Sequence, residues 1–257
     1  MAQQLETEAE VLARLAREKE YHNKAFAEDI RKSVDKYYDT IARSRARYHM
    51  LIHADANGKR LLEYGCGPGS KAFDLAASGA AITGIDISDV AIQLAADEAK
   101  TRGVVAEFKV MNAEVLEYPN QYFDRIIGSA IIHHLDLHKA YAEIARCLKK
   151  EGNAVFIEPL GHNPIINLYR KLTPKLRTED EHPLKIEDIN LAKKYFEVVE
   201  VRYFHLFSIA SVVFRNTFLF KPVLNTLDGL DALLFKVFPF LKKNSWMSVI
   251  ELKAPKH

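Results

Sequence analysis

The chain has 257 residues, 48% of them hydrophobic and 27% charged, an ordinary globular composition that argues against wholesale disorder. Lysine and arginine number 36 against 34 acids, a net charge of +2, which lacks the bulk basic charge of a dedicated nucleic-acid binder. Two cysteines, Cys66 and Cys147, cannot build a disulfide framework or a four-thiolate zinc site, and the longest uncharged apolar run, Tyr203 to Phe214, is shorter than the roughly 20 residues of a membrane span.

The opening stretch MAQQLETEAE is polar and acidic, unlike a secretory leader, so a reduced, cytoplasmic setting is expected. Leu5, Ala9, Leu12, Leu15 and Ala16 then recur at three- and four-residue steps, and a second amphipathic stretch runs from about Ala25 to His53. Residues 1–57 are read as a helical extension, serving as packing, as a lid or as an oligomer contact. From Lys59 the pattern changes. Strands are predicted at Arg60–Tyr64, Ala80–Ile87, Val104–Met111, Phe123–Ile132 and Ala154–Glu158, with helices at Ser70–Ser78, Ser88–Arg102 and Asp136–Lys149 between them. Such alternation predicts an α/β fold, a doubly wound parallel sheet with helices on both faces. Residues 159–195 are polar and proline-punctuated and are read as cover for a second ligand, with helices at Ile165–Leu172 and Ile186–Tyr195. A strand at Phe196–Phe207, an aromatic insertion over residues 208–244 and a last strand at Met247–Leu252 complete a core spanning residues 58–257.

The strongest local signal is the run Glu63-Tyr64-Gly65-Cys66-Gly67-Pro68-Gly69-Ser70 at a strand-to-helix junction. Glycines there let the chain turn sharply and bring backbone N–H groups and a helix N-terminus to a ligand. Asp86 ends the next strand, where a carboxylate can accept both hydrogen bonds of a ribose diol. Nicotinamide enzymes share this logic, and a nicotinamide oxidoreductase is one rival reading. Three details favour S-adenosylmethionine (SAM). Glu63 lies two residues before Gly65, where an acid can orient the loop or meet the cofactor's ammonium. The spacing is Gly-x-Gly-x-Gly. Asn112-Ala113-Glu114 follows the third strand, where a polar group can read the adenine amino group.

The sequence from about Tyr48 to Glu158 resembles the class I SAM-dependent methyltransferases, in particular the small-molecule group that includes the ubiquinone-pathway enzymes. The matching motifs are the Glu63–Gly69 loop, Gly84-Ile85-Asp86-Ile87-Ser88, Asn112-Ala113-Glu114, and Phe123-Asp124-Arg125-Ile126-Ile127 running into Ile131-Ile132-His133-His134-Leu135. The resemblance implies a seven-stranded sheet with the last strand antiparallel, SAM at the carboxyl ends of the first strands, and S-adenosylhomocysteine as product. It implies that Gly65, Cys66, Gly67 and Gly69 border the methionine part. Asp86 takes the ribose, and Ile87 packs on adenine. Glu114 or its backbone neighbours, Asn112 and Ala113 included, face the adenine edge, Ser129 lies near the sulfonium, and a histidine at the place of His134 often closes over the cofactor. A weaker likeness of Glu158-Pro-Leu-Gly-His-Asn-Pro and the aromatic tail is to bacterial secondary-metabolite methyltransferases.

Methyl transfer needs alignment and exclusion of water, and a base only where the acceptor loses a proton. Candidates for that base are Glu158 and His162 at the end of the fifth strand, His133 and His134 after the fourth, and His182 in the cluster Arg177–Pro183. His133 and His134 also suit packing on the cofactor. Tyr21, His22, Tyr37 and Tyr38 sit on helices that in this family often roof the pocket. No metal is expected, because adjacent histidines point differently and show no second ligand pair. The aromatic, lysine-flanked stretch from Tyr203 to Phe240 is read as its own small core, as a greasy acceptor tunnel, or as a surface that meets a bilayer. The expected acceptor is a small hydrophobic molecule, methylated at oxygen or carbon. Association through the N-terminal helices is a further expectation. The rival functions are an RNA or protein methyltransferase, using Arg43, Arg45 and Arg47 or Arg170, Lys171, Lys175 and Arg177, and a SAM-binding module without catalysis.

Overall fold

The computed structural model describes residues 7–27, 39–69, 71–173 and 183–257. Tyr37, Tyr38, Ser70, Lys175, Arg177 and His182 lie outside the described residues.

Two helices, α1 (Glu8–Ala27) and α2 (Ala42–His53), precede the sheet. The alternating part runs β1 (Arg60–Tyr64), α3 (Ala72–Ala77), β2 (Ala81–Asp86), α4 (Asp89–Arg102), β3 (Glu107–Val110), β4 (Phe123–Ser129), α5 (Leu137–Cys147) and β5 (Leu148–Pro159). Then come α6 (Pro164–Leu172), α7 (Ile186–Leu191), β6 (Phe196–Phe204), α8 (Phe220–Val237) and β7 (Met247–Pro255). The seven strands form one sheet in the order β3-β2-β1-β4-β5-β7-β6. β1 to β5 are parallel, and β7 runs antiparallel to both β5 and β6. This is the doubly wound sheet with an antiparallel last strand that the sequence pattern and the resemblance imply.

The central strands β1 and β2 are buried along almost their whole length, as parallel strands covered by helices on both faces are. Side chains of β1 alternate accordingly. Leu62 and Tyr64 join a core with Phe123, Tyr141, Phe156 and Phe196, whereas Leu61 joins Ile52, Ile82, Val155 and Val249 on the face that α2 covers. Registers place Tyr64 beside Ile85 and Gly128, so Gly65, Asp86 and Ser129 emerge together at one edge of the sheet. Local chemistry sets the helix ends. Ser88 caps α4 by accepting a hydrogen bond from the Ala91 N–H, and Gly103 closes it in the left-handed conformation. Asp136 caps α5 in the same way.

Of the boundaries that differ from the sequence expectation, three have an evident physical reason. β4 stops at Ser129 because Ala130 adopts φ +53°, which breaks the strand into a 3-10 turn, Ile132–His134. β6 stops at Phe204 because His205 adopts φ +63°. β5 begins at Leu148 instead of Ala154, since Phe123 pairs with Leu148 across an irregular register. The late insertion folds as a 3-10 segment (Ser208–Phe214), α8 and a second 3-10 segment (Pro239–Asn244). It is tied to the core through Asp231, which accepts hydrogen bonds from the backbone N–H groups of Leu206, Phe207 and Ser208, and through the buried His205, which contacts Ser44 of α2 at 3.0 Å. Among the described residues, no helix is long and apolar enough to cross a membrane.

Candidate functional site

A cavity of about 510 Å³ opens over the carboxyl edge of β1, β2 and β4. Its floor comprises Glu63, Gly65, Cys66, Gly67 and Pro68 after β1, Ile85, Asp86 and Ile87 after β2, Met111, Asn112 and Ala113 after β3, and Ser129, Ala130 and Ile131 after β4. Its roof is Arg14, Leu15, Glu18, His22 and Phe26 of α1 with Arg45, Tyr48 and His49 of α2.

Backbone bonds build the floor. Gly67 adopts φ +52°, where glycine is favoured, and donates its N–H to Asp86 Oδ2 at 2.9 Å. A side chain at Gly67 would press on the Phe26 ring of α1, 3.3 Å from the Cβ position, so glycine also lets the roof come down. Asp86 Oδ1 accepts the Ser88 N–H at 2.9 Å, which fixes the carboxylate at the cavity wall with lone pairs remaining on both oxygens. Glu63 Oε2 accepts the Ala72 N–H at 2.8 Å and so caps α3, whose own N-cap side chain makes no such bond. Burial pushes the Glu63 carboxyl up to about 8. Burial also raises the Cys66 thiol far above its ordinary range, so this residue is packing and not a thiolate nucleophile. Asn112 Oδ1 accepts the Glu114 N–H at 2.9 Å, which shapes the turn after β3.

Most residues assigned to the cofactor from sequence therefore meet in one cavity: Glu63, Gly65, Cys66, Gly67, Asp86, Ile87, Asn112, Ala113, Ser129 and His134. Two do not line it. Gly69 lies under the Phe73 ring, where a Cβ would come within 2.6 Å, so it serves the packing of α3. Glu114 is buried and gives its carboxylate to Arg14 of α1, at 2.9 and 3.0 Å, and to the Asp136 N–H, at 2.8 Å. Its carboxylate holds the roof, and of that motif only Asn112 and Ala113 line the cavity.

The expected bases rearrange more. Glu158 is completely buried. Its Oε1 accepts the N–H groups of Ile131 and Ile132 at 2.9 and 3.1 Å, and its Oε2 holds His133 Nδ1 at 2.6 Å. All three bonds pin the tight turn after β4, so Glu158 and His133 form an internal brace that does not line the cavity. His162 likewise lies away from it and receives the Ile186 N–H at 3.4 Å. Of the described candidates only His134 faces the cavity, because the braced turn aims it there.

Sequence reasoning placed His22 among the roof residues but missed Arg14, Glu18 and Tyr48. α1 is held to the floor by the Arg14–Glu114 pair, by Asn23 Nδ2 donating to Asp89 at 2.9 Å and by Ser88 Oγ donating to Asn23 Oδ1 at 2.6 Å. The Tyr48 hydroxyl is buried without a hydrogen-bond partner among the described residues and belongs to a residue of the cavity wall. Burial, with the charges of Glu63 and Glu158, raises its pKa well above the ordinary phenol value, so it is a donor. A capping residue for α1, or the i, i+4 pair Glu18 and His22, was the available signal, and neither points to a ligand by itself.

Residues 62–156 match the family described as "Methyltransferase domain". The ubiquinone biosynthesis O-methyltransferase of Bordetella pertussis is 31% identical over 110 residues, 42% of this chain and 45% of that protein. That of Paraburkholderia xenovorans is 33% identical over 113 residues, 43% and 48% of the two chains. The chain thus spans about half the length of the curated relatives it matches. Among solved structures, phosphoethanolamine N-methyltransferase 2 of Haemonchus contortus with S-adenosyl-L-methionine aligns over 90% of this chain and 60% of its own, at 17% identity and a TM-score of 0.60. The cyclase SpnF aligns over 82% and 81% of the two chains, at 18% identity and a TM-score of 0.55. Such likenesses show a shared fold. The strand order, the glycine-loop floor and the match over residues 62–156 together support a methyltransferase domain of the class I, SAM-dependent kind in this part of the chain.

Proposed function

We propose that the chain binds SAM across the cavity floor and transfers its methyl group to oxygen or carbon of a small, hydrophobic acceptor. The observation that carries this reading is one continuous cavity that runs from the glycine loop and Asp86 to Ser129 and His134 beneath α1. The donor set fits the cofactor. Glu63 suits its ammonium and the Gly65–Gly67 backbone its methionine arm. Asp86 retains lone pairs for a ribose diol, and Ile87, Met111 and the Asn112–Ala113 turn suit the adenine. The unpartnered Tyr48 hydroxyl offers a further donor.

SAM supplies an electrophilic methyl on a sulfonium. The protein's part is to align the acceptor and exclude water. α1 excludes water by closing the cavity, and Phe26, Ile41, Ile157 and Met247 give it apolar walls suited to a lipophilic acceptor. His134 is placed to meet the acceptor's reacting group. The similarity to O-methyltransferases favours oxygen over carbon. The fold alone does not select methyl transfer, since a cyclase shares it. An RNA or protein substrate is the rival reading, and the roofed cavity favours a small molecule.

The test supplies SAM labelled in its methyl group to the purified protein with fractionated bacterial extract. Label in the organic-extractable small-molecule fraction is expected. Label confined to acid-precipitable RNA or protein would overturn the small-acceptor reading, and SAM binding with no label in any fraction would favour the module without catalysis.

A peripheral contact with an anionic bilayer belongs to the same reading. Phe218 and Phe240 of the insertion are 89% and 67% exposed, and Lys221, Lys236 and Lys243 lie exposed among them. Aromatic side chains with interspersed lysines suit an interface carrying negative lipid. Co-sedimentation with vesicles containing anionic lipid is expected, and Phe218→Asp with Phe240→Asp is expected to abolish it. Vesicle binding unchanged in that double variant, or a dimer that buries both rings, would contradict it.

A further inference from the structure

Glu18 and His22 stand one helical turn apart on α1, so their side chains leave the same face of the helix. His134 reaches the same point from the turn after β4. Glu18 Oε2 lies 3.3 Å from His22 Nε2 and 3.4 Å from His134 Nδ1, and the three donor atoms all lie within 4.8 Å of one another. All three residues line the cavity. The His134 side chain is nine-tenths buried, and its Nδ1 makes no hydrogen bond among the described residues.

The spacing separates two explanations. A charge-assisted hydrogen bond between an imidazole and a carboxylate is short, about 2.7–2.9 Å. The neighbouring His133–Glu158 contact, at 2.6 Å, shows such a bond in this same turn. The Glu18 contacts are longer by more than half an ångström. A tetrahedral ion with bonds of about 2.0–2.1 Å holds its ligand atoms about 3.3–3.4 Å apart. Two imidazoles and one carboxylate suit a divalent first-row ion such as Zn²⁺, with a fourth position for water or substrate. The Arg14 guanidinium, one turn before Glu18, is neutralised by Glu114 and does not oppose a cation.

We infer that Glu18, His22 and His134 form a divalent-metal site at the roof of the cavity. The second ligand pair that two adjacent histidines lack in sequence is supplied by α1. The role of the ion rests on the methyl-transfer reading above. The acceptor class that follows is a hydroxyl-bearing molecule whose oxygen takes the fourth position. Its O–H bond breaks, with the proton passing to water, and the oxygen pair forms the new C–O bond as the C–S bond of the sulfonium breaks to a thioether. A bound cation favours this by lowering the pKa of the hydroxyl.

The test uses the full chain, stripped by a chelator and dialysed. Zn²⁺ is titrated by calorimetry and Co²⁺ by visible absorption. One equivalent is expected, with the intense visible bands of four-coordinate Co²⁺. His22→Ala and His134→Ala are each expected to weaken binding about 100-fold or more, while the exposed His138→Ala binds as the wild type does. Absence of saturable binding would overturn the site, as would binding that survives both the His22 and His134 variants or is equally lost in the His138 variant. SAM titration of the metal-free protein keeps the two readings apart. SAM binding without metal binding removes the metal site alone, and metal binding without SAM binding removes the methyl-donor reading alone.

Discussion

The floor and the roof of the cavity are built in opposite ways. On the floor, backbone groups meet side chains two, nine and nineteen positions away: Ser88 N–H to Asp86, Ala72 N–H to Glu63 and Gly67 N–H to Asp86. On the roof, the ties of α1 among the described residues span much longer stretches of chain. Arg14 meets Glu114 across 100 residues and Asn23 meets Asp89 across 66. The floor is therefore rigid before any ligand arrives, because the sheet fixes it. The roof depends on a few polar pairs, of which Arg14–Glu114 is buried and Asn23–Asp89 exposed, and is the part that can open to admit an acceptor.

That contrast can be broken most forcefully at the brace under the floor. Glu158→Ala leaves two buried N–H groups and His133 without their acceptor, and is expected to cost about 3 kcal/mol or more of stability. Thermal denaturation measures this. A variant with wild-type melting that loses only methyl transfer would restore Glu158 as a base and contradict the brace. Next is the roof. Arg14→Met strands the Glu114 carboxylate. Hydrogen exchange of α1 amides is expected to rise at least tenfold while that of β1, β4 and β5 stays within about twofold. Equal loosening of sheet and helix would erase the distinction drawn here.

A smaller effect concerns protonation. The Glu63 carboxyl, raised by burial from an ordinary 4.5 to about 8, is protonated in the ligand-free protein at neutral pH. Holding a cofactor ammonium requires its ionised form, so SAM affinity is expected to rise with pH, by up to roughly tenfold per unit, and to level off above pH 8. Glu63→Gln should flatten the profile. The sign for stability is opposite: between about pH 4.5 and 8 the folded state binds more protons than the unfolded state, so the ligand-free fold weakens as pH rises through that window. The smallest effect is expected from His162→Ala, within about 0.5 kcal/mol in stability and unchanged in SAM affinity, as measured by denaturation and calorimetry.

What was legible in the sequence follows the same division. The doubly wound sheet could be read because strand and helix periods alternate, and the floor could be read because Glu63, Gly65, Gly67 and Asp86 act through local backbone geometry. Glu158 illustrates the limit. An acid at a strand end near His162 and Asn163 suggests a reactive group, but the left-handed Ala130 folds residues 131–133 back over it, and no local pattern announces that turn. Glu114 was placed at the adenine by its position after β3, yet its partner Arg14 lies on a helix whose sequence shows only amphipathic spacing. The third ligand of the Glu18, His22 and His134 group escaped notice for the same reason, since packing joins a helix pair to a histidine more than a hundred residues away.

The central claim is that this floor holds SAM. The most direct measurement is calorimetric titration of the wild type and Asp86→Ala with SAM, and with NAD as the competing nucleotide. One SAM bound per chain, no heat from NAD and about 100-fold weaker SAM binding in Asp86→Ala, from lost ribose and loop bonds, are expected. NAD binding, or SAM binding indifferent to Asp86, would contradict the account.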